Sequence, residues 1–78
     1  INLPAPCGTY NVTVCVKAHS TPSFSLYENN TGFIIEDCEI EENQNRDITF
    51  RVTTQDGINI KIYCDGRLTA TAMAEYEN

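Results

Sequence analysis

Apolar and polar residues alternate along most of this chain with a period of two. In "YNVTVCVKA", Tyr10, Val12, Val14 and Val16 fall on one face. "FSLYE" repeats the pattern with Phe24 and Leu26, and "DITFRVT" with Ile48, Phe50 and Val52. "INIKIY" places Ile58, Ile60 and Ile62 together, and "RLTATAMA" places Leu68, Ala70 and Ala72 together. Period two with β-branched residues is the mark of half-buried strands. No stretch carries the spacing of an amphipathic helix. The pattern predicts about six strands, over 10–18, 23–28, 32–40, 47–54, 58–63 and 67–74.

The turns between these runs suggest a register. A three-residue loop at Gln55-Asp56-Gly57 sets Val52 opposite Ile60 and Phe50 opposite Ile62, which keeps the apolar residues on one face. A two-residue Asp-Gly loop would flip one strand. Gly57 then occupies the left-handed position such a loop requires. A loop of Cys64-Asp65-Gly66 sets Ile62 opposite Leu68 and uses Gly66 in the same way. These turns predict an antiparallel meander of the last three strands. A loop at Asn43-Gln44-Asn45 adds 32–40 to it and brings Ile34, Cys38 and Ile40 to the core face. "HSTPS" and "NNTG" supply turn chemistry for the two earlier connections. The predicted fold is all-β: a small six-stranded antiparallel β-sandwich or partly open barrel, with the whole chain, 1–78, as one domain.

The acidic run "EDCEIEE", Glu36 to Glu42, belongs to this scheme. In the predicted register Cys38 and Ile40 point inward, Asp37 faces Arg51, Glu42 faces Arg46, and Glu39 and Glu41 face water. Cross-strand opposite charges of this kind contribute a few tenths of a kcal/mol to about 1. Glu36 falls on the core side: either it lies at the rim and reaches water or, the reading favoured, a bulge at 35–37 turns it out and lets Phe33 and Ile35 point inward.

Seventy-eight residues bury a limited core. Four cysteines, Cys7, Cys15, Cys38 and Cys64, read as two disulfides, and so as a secreted, extracellular protein. Cys7 to Cys15 is disfavoured, because an extended Thr9–Cys15 segment spans about 20 Å at 3.3 Å per residue. A disulfide needs Cα atoms within about 7 Å. That leaves 7–38 with 15–64, the pairing favoured, or 7–64 with 15–38. The opening "INLPAPCGTY" reads as a mature terminus left after processing. Asn11 in "NVT" and Asn29 in "NNT" are glycosylation candidates.

The net charge of −6 opposes binding to nucleic acid, whose phosphates demand a cationic patch, and to anionic membrane surfaces. No apolar run approaches the ~18 residues of a membrane span, so no membrane insertion is expected. His19 in "KAHSTPS" has no nucleophile signature around it and reads as an exposed turn residue. Asp37, Glu39 and Glu41 lie roughly 6.5 Å apart along a strand, too wide to converge tightly on calcium. No catalytic residue, metal or cofactor is expected. Tyr27, Tyr63 and Arg67 are the binding candidates, because exposed Tyr and Arg are favoured at interfaces.

At the level of class, the chain resembles the small secreted β-sandwich proteins of fungi and other microbes, such as six-stranded plant-pathogen effectors and some killer toxins. It shares their size, strand count and cysteines, but Cys38, at the end of the third strand, departs from the effector pattern. "FSLYENN" and "DGINIKIYCDG" are similar in cadence to the longer accessory β-sandwich modules of secreted hydrolases. Neither resemblance carries functional residues over. Together these features lead to the expectation of a toxin- or effector-like virulence protein that binds a protein of another organism. The alternative is a module that binds carbohydrate or the cell surface.

Overall fold

The computed structural model describes residues 1–77. They form five strands: β1 Asn2–Ala18, β2 Ser23–Glu28, β3 Gly32–Glu39, β4 Asn45–Cys64 and β5 Leu68–Tyr76. All pairings are antiparallel, and the sheet order is β3-β2-β4-β1-β5. The sheet does not close into a barrel. Strand existence follows the alternation closely, and β2 keeps its predicted bounds. The count is five instead of six because 47–54 and 58–63 are one continuous strand.

That continuity comes from Gly57. It has a positive φ of 106°, as a hairpin glycine would. Here the same conformation makes an irregularity within β4 instead of a reversal. A left-handed glycine serves a bulge as readily as a turn. The Thr54 hydroxyl donates to the Gly57 carbonyl, and the Asp56 N–H donates to the Thr54 oxygen at 3.2 Å. Opposite this point the β1 register shifts between Leu3 and Pro6 and then resumes with Leu3 facing Ile58.

Both long strands must bend. Straight, the 17 residues of β1 would span about 56 Å and the 20 of β4 about 66 Å. The longest dimension of the molecule is 37 Å. Bending lets β4 serve two neighbours. Residues 45–59 pair with β1, and residues 60–64 pair with β2. The inner faces of the two regions share one core, in which Val12, Val14, Val16, Phe24, Leu26, Val52, Ile58 and Ile60 are almost wholly buried.

The predicted meander is absent. The Cys64–Gly66 segment does end β4, but β5 crosses to pair with β1, with Tyr10 facing Tyr76 and Ala18 facing Leu68. Gly66 is not in the left-handed region. It is glycine because a Cβ there would collide with the Ser20 backbone, which lies where the two connections meet. Likewise β3 pairs with β2, through the Asn29–Thr31 turn, and not with 47–54.

The bulge expected at 35–37 is present, although on a different partner. Between Phe24 and Leu26 the register moves from Cys38 to Ile35, and Asp37 takes a positive φ of 49°. Glu36 is exposed and Ile35 packs against the core, as expected. Phe33 does not turn inward: it pairs with Tyr27 on the outer face and is 52% exposed. The two expected ion pairs do not form. Arg51 binds Glu77 through both carboxylate oxygens at 2.9 Å. Arg46 donates to Cys38 Sγ at 3.0 Å and to the Glu39 carbonyl.

Candidate interaction surface

Three aromatic side chains from three adjacent strands meet on the outer face. Tyr27 on β2 is aligned with Phe33 on β3 and with Lys61 on β4. The Tyr27 and Phe33 rings meet edge to face, with centroids 5.1 Å apart and planes at 73°. Tyr63 on β4 is aligned with Ser25, whose small side chain leaves room for Phe33 to reach over β2. Phe33 and Tyr63 are 6.2 Å apart at 47°. Each is 52% exposed, so among the described residues an apolar surface is held in water with no covering element. Beside Tyr63 runs an open groove of about 460 Å³, whose lining includes Ser23, Ser25, Asp37 and Asp65. Aromatic edges and two carboxylates therefore face the same solvent. The β3 bulge positions one of them, since the Asp37 N–H donates to Ser25 Oγ at 3.0 Å.

Two of the three predicted binding residues, Tyr27 and Tyr63, thus belong to one surface. Arg67 does not join the ring contacts. It lies in the β4–β5 connection, where its carbonyl accepts from the His19 and Ser20 N–H groups at 2.9 and 3.0 Å. Phe33 was missed because the anticipated bulge was expected to turn it inward. The signal available was its pairing partner: a "LYENNTGF" hairpin closed at Glu28 and Gly32 sets Phe33 opposite Tyr27.

The four cysteines are free thiols, and neither 7–38 nor 15–64 forms. Cys7 sits near the β1 register shift opposite Asp56, while Cys38 contacts Arg46, ten residues away along β4. Cys15 points outward from β1 between Asp47 and Thr71. Cys64 ends β4 beside Phe24 and donates to the Gly66 carbonyl. The expectation of secretion rests on a disulfide framework and loses that support.

Cys15 has a distinct environment. Its thiol hydrogen-bonds to the Asp47 carboxylate, which raises its pKa; desolvation and the charge of Asp47 act in the same direction, and Thr71 opposes them. A raised pKa leaves less thiolate, the nucleophilic form, at any pH below it. Asp47→Asn is therefore expected to speed iodoacetamide labelling of Cys15 several-fold at pH 8 and to leave Cys7 unchanged. Peptide mass spectrometry resolves the two sites, and equal rates in wild type and variant would remove this account.

His19 Nε2 lies 3.3 Å from the Thr69 hydroxyl, and no carboxylate is among its hydrogen-bond partners. Among the described residues no group of three or more His, Cys, Asp and Glu side chains converges. Asn11 is exposed at mid-strand, aligned with Arg51 and Glu75, and Asn29 is exposed at the β2–β3 turn. Comparison with protein-family models, curated proteins and solved structures finds no match.

Proposed function

We propose that this protein acts by binding another protein through the Tyr27–Phe33–Tyr63 surface. The observation that carries the reading is the half-exposure of two large aromatic side chains whose rings lie 6.2 Å apart on the sheet. Aromatic residues in such positions supply large contact area at little cost in side-chain entropy. Asp37 and Asp65 beside them favour a partner segment that carries an apolar anchor next to a Lys or Arg.

The carbohydrate-binding alternative draws on the same rings. Sugars stack on flat aromatic platforms, and here the planes are tilted by 73° and 47°. That geometry favours protein binding. The toxin- or effector-like form of the proposal rests on chain size and class resemblance, and the aromatic surface adds nothing about whose protein is bound.

The test compares wild type with Phe33→Ala/Tyr63→Ala, both presented to glycan arrays and to immobilised candidate partners. Loss of partner binding by tenfold or more, with unchanged circular dichroism, is the expected result. A glycan ligand lost on the same substitution would replace protein with sugar. Undiminished partner binding by the variant would remove the surface from consideration.

A further inference from the structure

The two edges of the sheet are built differently. β3 is interrupted by two register shifts, has Asp37 at positive φ, and carries Glu36, Asp37 and Glu39. Bulges and charges are how proteins blunt an edge strand. β5 has none of these defences. It is regular over Leu68–Tyr76, without proline, bulge or lysine, and Glu75 is its one charged residue.

The free side of β5 can be specified residue by residue. The Glu77 N–H donates to the Thr9 carbonyl at 2.8 Å, and the His19 N–H donates to the Arg67 carbonyl at 2.9 Å. In an antiparallel ladder, residues that bond to one neighbour alternate with residues that point away from it. Odd-numbered residues of β5 therefore bond to β1. Leu68, Ala70, Ala72, Ala74 and Tyr76 direct their backbone N–H and C=O groups away from it.

We propose that this edge pairs with the β5 edge of a second copy of this chain, antiparallel about a twofold axis at Ala72. That register uses the whole strand. Leu68 faces Tyr76 of the second copy, Ala70 faces Ala74, and Ala72 faces itself. On the outer face Thr69 meets Glu75 and Thr71 meets Met73. No like charges are opposed. The small alanines meet at the centre, and Tyr76, 58% exposed, gains Leu68 as a cover.

The charges favour this register over one with the axis at 73. Lys17 lies beside Thr69 on β1. With the axis at Ala72, Thr69 of one copy separates its own Lys17 from Glu75 of the other. The two charges are then two strand spacings apart, about 9.6 Å between Cα atoms, which their side chains can bridge. Moving the axis to 73 sets Glu75 against Thr71, behind which stand Cys15 and Asp47. That exchange loses the attraction. The resulting dimer has a continuous ten-stranded sheet, with β3 at both ends, so the two aromatic surfaces lie far apart.

Sedimentation equilibrium at tens of micromolar is expected to show about twice the 8.7 kDa chain mass. Ala72→Pro should be monomeric and folded, because its missing N–H bonds to nothing in the monomer and edge strands tolerate such a proline. Lys17→Glu, at an exposed site, should weaken self-association tenfold or more, and Lys17→Glu/Glu75→Lys should restore it. A wild type that stays monomeric, or a dimer that survives both Ala72→Pro and Lys17→Glu, would overturn the proposal. Failure of Ala72→Pro to fold leaves the charge-reversal pair to decide it.

Discussion

Phe24→Ala is expected to lower the unfolding free energy by about 3–5 kcal/mol, the usual cost of emptying a buried phenylalanine site. Phe24 is 1% exposed and stands at the centre of three strands, aligned with Cys38 on β3 and Cys64 on β4. It anchors β2 and β3, which hold the aromatic surface, to the rest of the sheet. Domains have roughly 0.05–0.15 kcal/mol of stability per residue, so this chain holds about 4–12 kcal/mol in all. With no disulfide to constrain the unfolded chain, the core carries that stability without the extra 2–4 kcal/mol a bridge typically adds. The loss is therefore a quarter or more of the total. Urea denaturation should show the midpoint falling by about 2 M or more, given slopes near 1–1.5 kcal/mol/M for small domains. A loss below about 1.5 kcal/mol would mean that neighbouring side chains collapse into the space.

Glu28→Ala is expected to cost about 2–4 kcal/mol, unusually much for an acidic residue. Glu28 is fully buried at the end of β2. One carboxylate oxygen accepts from the Asn30 N–H, the Thr31 N–H and the Thr31 hydroxyl, all at 2.9 Å. The other accepts from Asn30 Nδ2 at 2.9 Å. The same amide also donates to the Gly57 carbonyl, which ties the β2–β3 turn to the irregular point of β4. Hydrogen bonds to a charged acceptor contribute about 1.5–3 kcal/mol each. The expected cost stays below their sum because Asn30 and Thr31 are exposed and water replaces the lost acceptor, and because burying the carboxylate itself costs free energy. Glu28→Gln should cost less than Glu28→Ala, as it keeps one acceptor oxygen but puts an NH₂ opposite a donor. Thermal unfolding of both variants orders the effects. Equal stability of wild type and Glu28→Ala would show that the turn holds without its carboxylate.

Glu28 also marks a limit of reading by pattern. It continues the inward parity of Phe24 and Leu26, so its burial is legible in "FSLYENN". Its partners are Asn30 and Thr31, two and three residues on, a local arrangement that hydrophobic alternation does not describe. The aromatic surface is a mixed case. Tyr27 and Tyr63 are on outward positions by parity alone. Their meeting through Phe33 depends on β3 lying beside β2, which the expected pairing denied. The free cysteines were read wrongly because an even count in a short chain was taken as a framework, while the fold leaves all four as free thiols, Cys7 and Cys15 on β1, Cys38 on β3 and Cys64 on β4.

The chain by itself determined which side chains face inward. Of the residues assigned to the core by alternation, Tyr10, Val12, Val14, Val16, Phe24, Leu26, Ile40, Val52, Ile58 and Ile60 are buried, and Ile34, Cys38, Ile48, Phe50, Ile62, Leu68, Ala70 and Ala72 pack against them. That property is local, since successive side chains of a strand leave opposite faces whatever lies beside it. Which strand lies beside which was decided only by the tertiary structure. A left-handed glycine is compatible with both a hairpin and a bulge, so Gly57 could end a strand or bend one. The bend lets β4 run its full length beside β1 and then beside β2, and puts both halves over one core. Neighbouring strands were predicted to pair because short turns join them. The long-range pairing of β4 and of β5 with β1 gives β1 hydrogen-bonded partners along both of its edges over Tyr10–Lys17, which leaves none of the backbone groups of that stretch to an open edge.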